Sequence, residues 1–217
     1  MTQNFRLILD KTLEDIRRSG TRPRLLLHAC CAPCSSAVIE ELALYFDVTL
    51  YFYNPNIYPK QEYDFRLAEL HRLIDEMSAS DAISKEAAEG IGRICIAEGK
   101  YEPEVFFELS KGYEKLPEGD KRCELCYKLR LSETARYAAE NGFDYFCTTL
   151  SVSPYKNAQK LNAIGGELSA IYGLPYLVSD FKKRNGYKRS CELSGIFNLY
   201  RQDFCGCPFS KAARESK

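Results

Sequence analysis

No stretch of this 217-residue sequence stays apolar for the roughly 18 residues that a membrane helix needs, which excludes a helical span. Neither sign of charge is in excess: 30 basic residues balance 30 acidic ones, so bulk electrostatics argue against a general polyanion binder and leave room only for a local patch. The first twenty residues are charged throughout and lack the apolar block of a signal peptide, so the chain reads as cytoplasmic. There is no repeat, no low-complexity tract and no Pro/Gly linker to divide it, and 1–217 is expected to form a single α/β catalytic domain. Nucleotide-binding loops of the G-x-x-x-x-G-K-[ST] or S-x-G-x-D-S type are missing as well.

Cysteine is abundant instead. There are ten, about 4.6% of the chain, which is fewer than a disulfide scaffold carries and many for a reducing compartment. Seven fall into three tight groups: Cys30, Cys31 and Cys34; Cys123 and Cys126; Cys205 and Cys207. Such clusters point to metal or redox chemistry. Of the others, Cys95 and Cys147 lie in apolar strand-like segments and are expected in the core, and Cys191 has no evident partner.

Hydrophobic periodicity predicts alternating helices and strands. Residues 3–18 carry Phe5, Ile8, Leu9, Leu13 and Ile16 at helical spacing, the N-terminal helix expected within 1–20. Strands are expected at 24–28, 48–53, 91–97, 144–150 and 176–178, and helices from Ser35/Ser36 to Tyr45 and over 61–78, 104–112, 123–141 and 157–172. The alternation implies a parallel sheet with helices on both faces, a three-layer α/β fold. Sites in such sheets form beyond the carboxyl ends of the strands. The segments 28–34, 53–58 and 148–156 should therefore converge.

Cys30 and Cys31 sit at a strand-to-helix turn, where irregular backbone lets neighbouring side chains grip one object and a helix start favours the thiolate. Cys123-Glu-Leu-Cys126 opens a second helix, flanked by Lys121, Arg122, Lys128 and Arg130, which would offset the charge of a thiolate-held centre. Four thiolates from these pairs fit an iron–sulfur cluster. Cys31, Cys34, Cys123 and Cys126 would satisfy a tetrahedral zinc site equally well, and Cys31-Ala-Pro-Cys34 by itself resembles a thioredoxin motif. In Cys205-Gly-Cys207 the glycine permits the tight backbone of a strained, readily reduced disulfide, with a terminal pair of metal ligands as the alternative.

The loop 53–59 offers Asn54 and Asn56 beside tyrosines that could stack on a base, followed by Tyr63 and Arg66. Asp180, Tyr155, Lys156 and Tyr187 are placed to supply protons. Five of the eight residues 182–189 are basic, among them Lys182 and Lys183, and this C-terminal basic segment (within 180–217) is the most plausible nucleic-acid contact. His28 reads as a structural histidine and His71 as a surface one.

Taken together, HACCAPC (28–34), YNPNIYPKQEYDFR (53–66), RCELCYKLRL (122–131), TTLSVSPYKN (148–157), DFKKRNGYKRS (180–190) and LYRQDFCGC (199–207) resemble the QueH-type epoxyqueuosine reductase family over about residues 24–210. The resemblance implies a fold akin to the adenine-nucleotide α-hydrolases (HUP fold). It also implies the last step of queuosine synthesis, in which the epoxide of epoxyqueuosine is reduced at the wobble position of tRNA. It assigns Cys30, Cys31, Cys123 and Cys126 to a 4Fe–4S cluster and Cys205 and Cys207 to a redox-active pair. Some members carry an aspartate at the position of Cys34, whose implied role is as a ligand of a second, mononuclear iron. The implied partners are tRNA and an external electron donor. The competing readings are an ATP-dependent tRNA-modifying enzyme of related fold, which the missing nucleotide loops disfavour, and a zinc-stabilised, non-catalytic tRNA-binding module.

Overall fold

A computed structural model describes residues 3–215. Its centre is β1 (Arg24–His28), in which Leu25, Leu26, Leu27 and His28 are all fully buried. Such a run suits only an inner strand covered on both faces. Accordingly β1 pairs in parallel with β2 (Asp47–Phe52) on one side and β4 (Tyr145–Thr148) on the other, and β3 (Cys95–Glu98) extends the sheet beyond β2 to give the order β3-β2-β1-β4. Because side chains alternate along a strand, neighbours enter different cores. Leu25, Leu27, Val48, Leu50, Phe52 and Cys147 join one apolar cluster, while Leu26, Tyr51 and Phe146 join another.

The first cluster is covered by α1 (Phe5–Ser19), α2 (Ala32–Leu42), α3 (Lys60–Ser78) and α4 (Lys85–Ile91), with Leu193 of α8 (Gly186–Ile196) added at its end. The second is covered by α6 (Lys121–Glu140) and α7 (Ala158–Tyr172). These are the three layers expected. α5 (Pro103–Ser110) and α9 (Pro208–Glu215) lie at the carboxyl ends of the strands, where Phe106 and Phe209 pack with Cys126 and Cys207. The predicted terminal segments run to residues 1 and 217, and positions 1–2 and 216–217 lie outside the described residues.

Five local expectations change. The segment 91–97 is not one strand: helix α4 ends at Ile91, and β3 begins only at Cys95. β3 is an edge strand, and Cys95 is exposed there rather than in the core; Cys147, on β4, is buried as expected. β4 stops at Thr148, whose hydroxyl accepts the amide of Leu150 at 3.2 Å and turns the chain into a 3₁₀ segment, Thr149–Val152. Residues 176–178 make a single bridge, Tyr176 to Phe146, in place of a strand. Helix α2 starts at Ala32, before the two serines, because Pro33 fits the first turn; Ser35 and Ser36 then donate back to the carbonyls of Cys31 and Pro33.

Candidate functional site

The carboxyl ends of three strands are tied together by His28. Its Nδ1 lies 3.0 Å from Thr148 Oγ1 and its Nε2 lies 3.2 Å from the Tyr53 carbonyl, so one ring links β1, β4 and the end of β2. Burial, with help from nearby Arg130, lowers its pKa to about 4. A neutral cross-tie, as the sequence suggests, is what results. His71 is a surface residue 4.0 Å from Glu98.

Beyond His28 the chain leaves the sheet at Ala29, whose carbonyl accepts Asn54 Nδ2 at 2.8 Å, and Cys30 and Cys31 follow. Cys31 is extended (φ −171°) and caps α2. This backbone brings the two sulfurs to 3.7 Å, and those of Cys30, Cys31 and Cys34 all lie within 4.8 Å of one another. Bonds of about 2.3 Å to one tetrahedral ion would set two sulfurs about 3.8 Å apart. The trio can therefore hold a metal. Hydrogen bonds with Cys30 and Cys34 pull the Cys31 thiol well below its ordinary value, and those with Cys30 and Cys31 push Cys34 well above its own.

The C-x-x-C pair arrives on α6, capped by Asp120. Cys123, Cys126, Tyr127 and Arg130 recur at helical spacing and are all buried on one face. Cys123 packs in the same apolar cluster as Cys30 and Cys31, and Cys126 packs with Cys207. Two adjoining cavities result. The larger, about 260 Å³, is lined by Cys30, Cys34, Arg66, Arg130, Lys156 and Cys205, with Tyr155 and Tyr187 at its edge. The smaller is lined by Cys123, Cys126, Cys205, Cys207, Asn56 and Tyr127. Arg130, Lys156 and Cys205 line both.

The electrostatics of this wall are lopsided. Arg130 is only 4% exposed, and its hydrogen-bond partners are the Cys126 carbonyl at 3.4 Å and Asn54 Oδ1 at 3.5 Å. Arg122, also buried, donates to three backbone carbonyls, and its Nε has no partner among the described residues. Two buried guanidiniums with no carboxylate partner among the described residues call for a compensating anion. A centre held by several thiolates supplies one. Lys121 and Lys128, by contrast, are exposed and paired with Glu124 and Glu167.

Lys156 is ion-paired to Glu118 at 2.7 Å. Burial works to lower its pKa, but Cys205, Tyr127 and Glu118 outweigh it and raise the value, so the side chain stays charged. Cys205 and Cys207 are free thiols. Hydrogen bonding between them, with Lys156 close by, holds Cys205 well below its ordinary value and pushes Cys207 up. Between them Gly206 has φ +99°, and a Cβ there would meet Ile57 Cγ1 at 2.8 Å, so the position requires glycine.

The remaining candidates divide. Arg66 is 1% exposed, bonded to Glu62 at 2.7 Å, and lines the larger cavity. Asn56 lines the smaller one and its Oδ1 is unpartnered. Asn54 is spent on Ala29 and Arg130, and Tyr63 packs in the main core against Phe52 and Tyr101, lining neither cavity. Asp180, Lys182 and Lys183 lie along a separate groove that also reaches Lys156.

Most of the basic run 182–189 is engaged within the protein. Lys182 pairs with Asp180, Arg184 with Asp10, Lys188 with Glu192, and Arg189 with Glu40. Sequence reasoning missed Glu118, Arg201 and Arg214, which reach the larger cavity from a loop, a linker and α9. Their approach depends on how the C-terminal segment folds back, which no local pattern encodes.

Residues 25–213 match the family described as "Epoxyqueuosine reductase QueH". Proteins of that name are similar over 71–96% of their lengths. The one from Staphylococcus epidermidis is 42% identical over 209 residues, covering 95% of this chain and 84% of the relative. That from Streptococcus pyogenes serotype M1 is 37% identical over 214 residues (97% and 80%), and that from Thermotoga maritima is 33% identical over 193 residues (89% and 93%). The extent of these matches, on a chain whose thiols gather at the sheet's carboxyl edge, shows that the chain belongs to the epoxyqueuosine reductase QueH family.

Proposed function

We propose that this chain is a cytoplasmic, HUP-like oxidoreductase that reduces the epoxide of epoxyqueuosine in tRNA to give queuosine, with electrons from an external donor. The observation that carries the reading is the convergence of Cys30, Cys34, Cys205, Arg130 and Lys156 on one cavity in a member of this family. In this reading Cys30, Cys31, Cys123 and Cys126 hold a 4Fe–4S cluster, and Cys34 serves a second, mononuclear iron. When bound, the cluster supplies electrons one at a time.

Removal of the epoxide oxygen takes up two electrons and two protons and releases water. Oxidation of the Cys205–Cys207 dithiol to a disulfide would release two of each, and the external donor would then restore the thiols. Lys156, charged and lining the same cavity as Cys30 and Cys205, holds a proton where the departing oxygen would need one. Asp180 lines the neighbouring groove and not this cavity, which makes it the less well placed proton donor. Arg130 and Arg122 balance the thiolate charge, and Arg66 and Asn56 are the polar groups left to meet the substrate.

The direct test is anaerobic incubation of the reconstituted protein with a reductant and epoxyqueuosine-containing tRNA, followed by nucleoside mass analysis. Conversion to a species lacking one oxygen is expected, and unchanged nucleoside from iron-loaded protein would refute the reading. The tight Cys30–Cys31–Cys34 trio also suits a single zinc ion in a binding module. That alternative predicts zinc without sulfide, and unfolding on chelation.

A further inference from the structure

The larger cavity opens between two exposed tyrosines, each with a guanidinium over its ring. Tyr155 is 67% exposed and Arg214 Cζ lies 6.0 Å from its ring centroid; Tyr187 is 37% exposed and Arg201 Cζ lies 5.9 Å from its centroid. All four residues line the cavity that holds Cys30, Cys34 and Cys205. They come from separate parts of the chain: the loop before α7, helix α8, the linker after it, and α9. Neither arginine forms an ion pair among the described residues; Arg201 donates to Ser194 Oγ at 3.0 Å and the Ser190 carbonyl at 3.5 Å. The basic run 182–189, by contrast, spends four of its five cations on internal carboxylates.

We propose that the pairs Tyr155–Arg214 and Tyr187–Arg201 form the rim that grips single-stranded RNA around the modified nucleotide, the rings stacking on bases and the guanidiniums meeting flanking phosphates. This inference rests on the tRNA reading above and specifies where the RNA is held. An exposed ring offers a sequence-tolerant stacking face, and an unpaired arginine at its side offers a phosphate contact. The carboxylates on this wall are Glu118, already held by Lys156 at 2.7 Å, and Asp203. Arg66 and Lys156 beneath are paired with Glu62 and Glu118, so the positive charge offered at the mouth is that of Arg201 and Arg214. The volume, about 260 Å³, suits one extruded nucleoside and not a duplex.

The test measures affinity of the holoenzyme for epoxyqueuosine-containing tRNA, anaerobically and across a salt series. Tyr155→Ala and Tyr187→Ala should each weaken binding by about 5- to 150-fold, the range for one stacked base. Tyr155→Phe keeps the ring and should bind like the wild type, which separates stacking from a role for the hydroxyl. Arg214→Gln should lower the slope of log affinity against log salt by about 1, while Lys85→Gln, at a remote exposed cation, should leave it unchanged. Alanine variants that bind like the wild type while that enzyme still converts its substrate would overturn the rim alone, as would loss on Tyr155→Phe equal to that on Tyr155→Ala. A wild-type holoenzyme that fails to bind this tRNA would overturn the rim and the tRNA reading together.

Discussion

A single ring fixes the geometry from which the vicinal thiols emerge. His28 is fully buried with both nitrogens engaged, and its neutral state follows from its desolvation beside Arg130. His28→Ala would strand the Tyr53 carbonyl and the Thr148 hydroxyl in a dry interior and open a cavity at the strand ends. A loss of about 2–5 kcal/mol is expected in chemical denaturation, with metal content falling in parallel. A variant as stable as the wild type would show that the cross-tie is dispensable. Arg130 and Arg122 test the charge argument from the other side. If they balance thiolate charge, Arg130→Met should lower retention of the metal centre more than Lys128→Met does, because Lys128 is exposed and paired with Glu167. Equal retention, measured as iron per chain after gel filtration, would remove the electrostatic role.

At the scale of elements, the C-terminal strap is the part most dependent on one residue. Gly206 sits at φ +99° against Ile57, and its carbonyl accepts the Tyr58 amide at 3.0 Å, docking the Cys205–Cys207 turn onto the loop 53–59. Gly206→Ala should cost about 1–2 kcal/mol in backbone strain and should speed hydrogen exchange at the Tyr58 amide. Exchange at the wild-type rate would contradict that docking. The sheet and most of its helices were legible from sequence because β1 carries the apolar run Leu25–Leu27, β2 is rich in β-branched and aromatic residues, and α1, α3 and α6 carry helical periodicity. The gathering of Cys123, Cys126 and Arg130 on one face was legible for the same reason. α8 was not, because its basic residues read as a nucleic-acid contact until Arg189 is seen bonded to Glu40 and Leu193 buried in the core. α9 was hidden for a different reason: its apolar contacts, Phe209 with Phe106 and Phe107, are long-range and leave little local pattern.

For the whole molecule, α8 joins the C-terminal strap to the sheet layer by packing on α2. Ser190 Oγ donates to the Pro33 carbonyl at 2.6 Å, Arg189 pairs with Glu40, and Leu193 is fully buried. The apolar contact should dominate: Leu193→Ala is expected to cost about 2–5 kcal/mol, whereas Arg189→Ala, a partly exposed pair screened by water, should cost about 1 kcal/mol or less. Denaturation midpoints for the two variants check the ranking, and the reverse order would mean that the strap is held by charge. This packing carries the rim residues Tyr187 and Arg201 to the same opening as Cys30, so loosening it should weaken RNA binding before it affects metal content.

The cluster reading requires that sulfur from 30–34 and from 123–126 serve one inorganic centre. The measurement that bears on this most directly is iron, sulfide and zinc content, with visible absorbance, of anaerobically purified wild type, Cys31→Ala and Cys126→Ala. About four irons with matching sulfide are predicted in the cluster of the wild type, with any mononuclear iron in addition, and loss of the cluster absorbance in both variants. Zinc without sulfide in the wild type, or an undiminished cluster spectrum in the two variants, would contradict it.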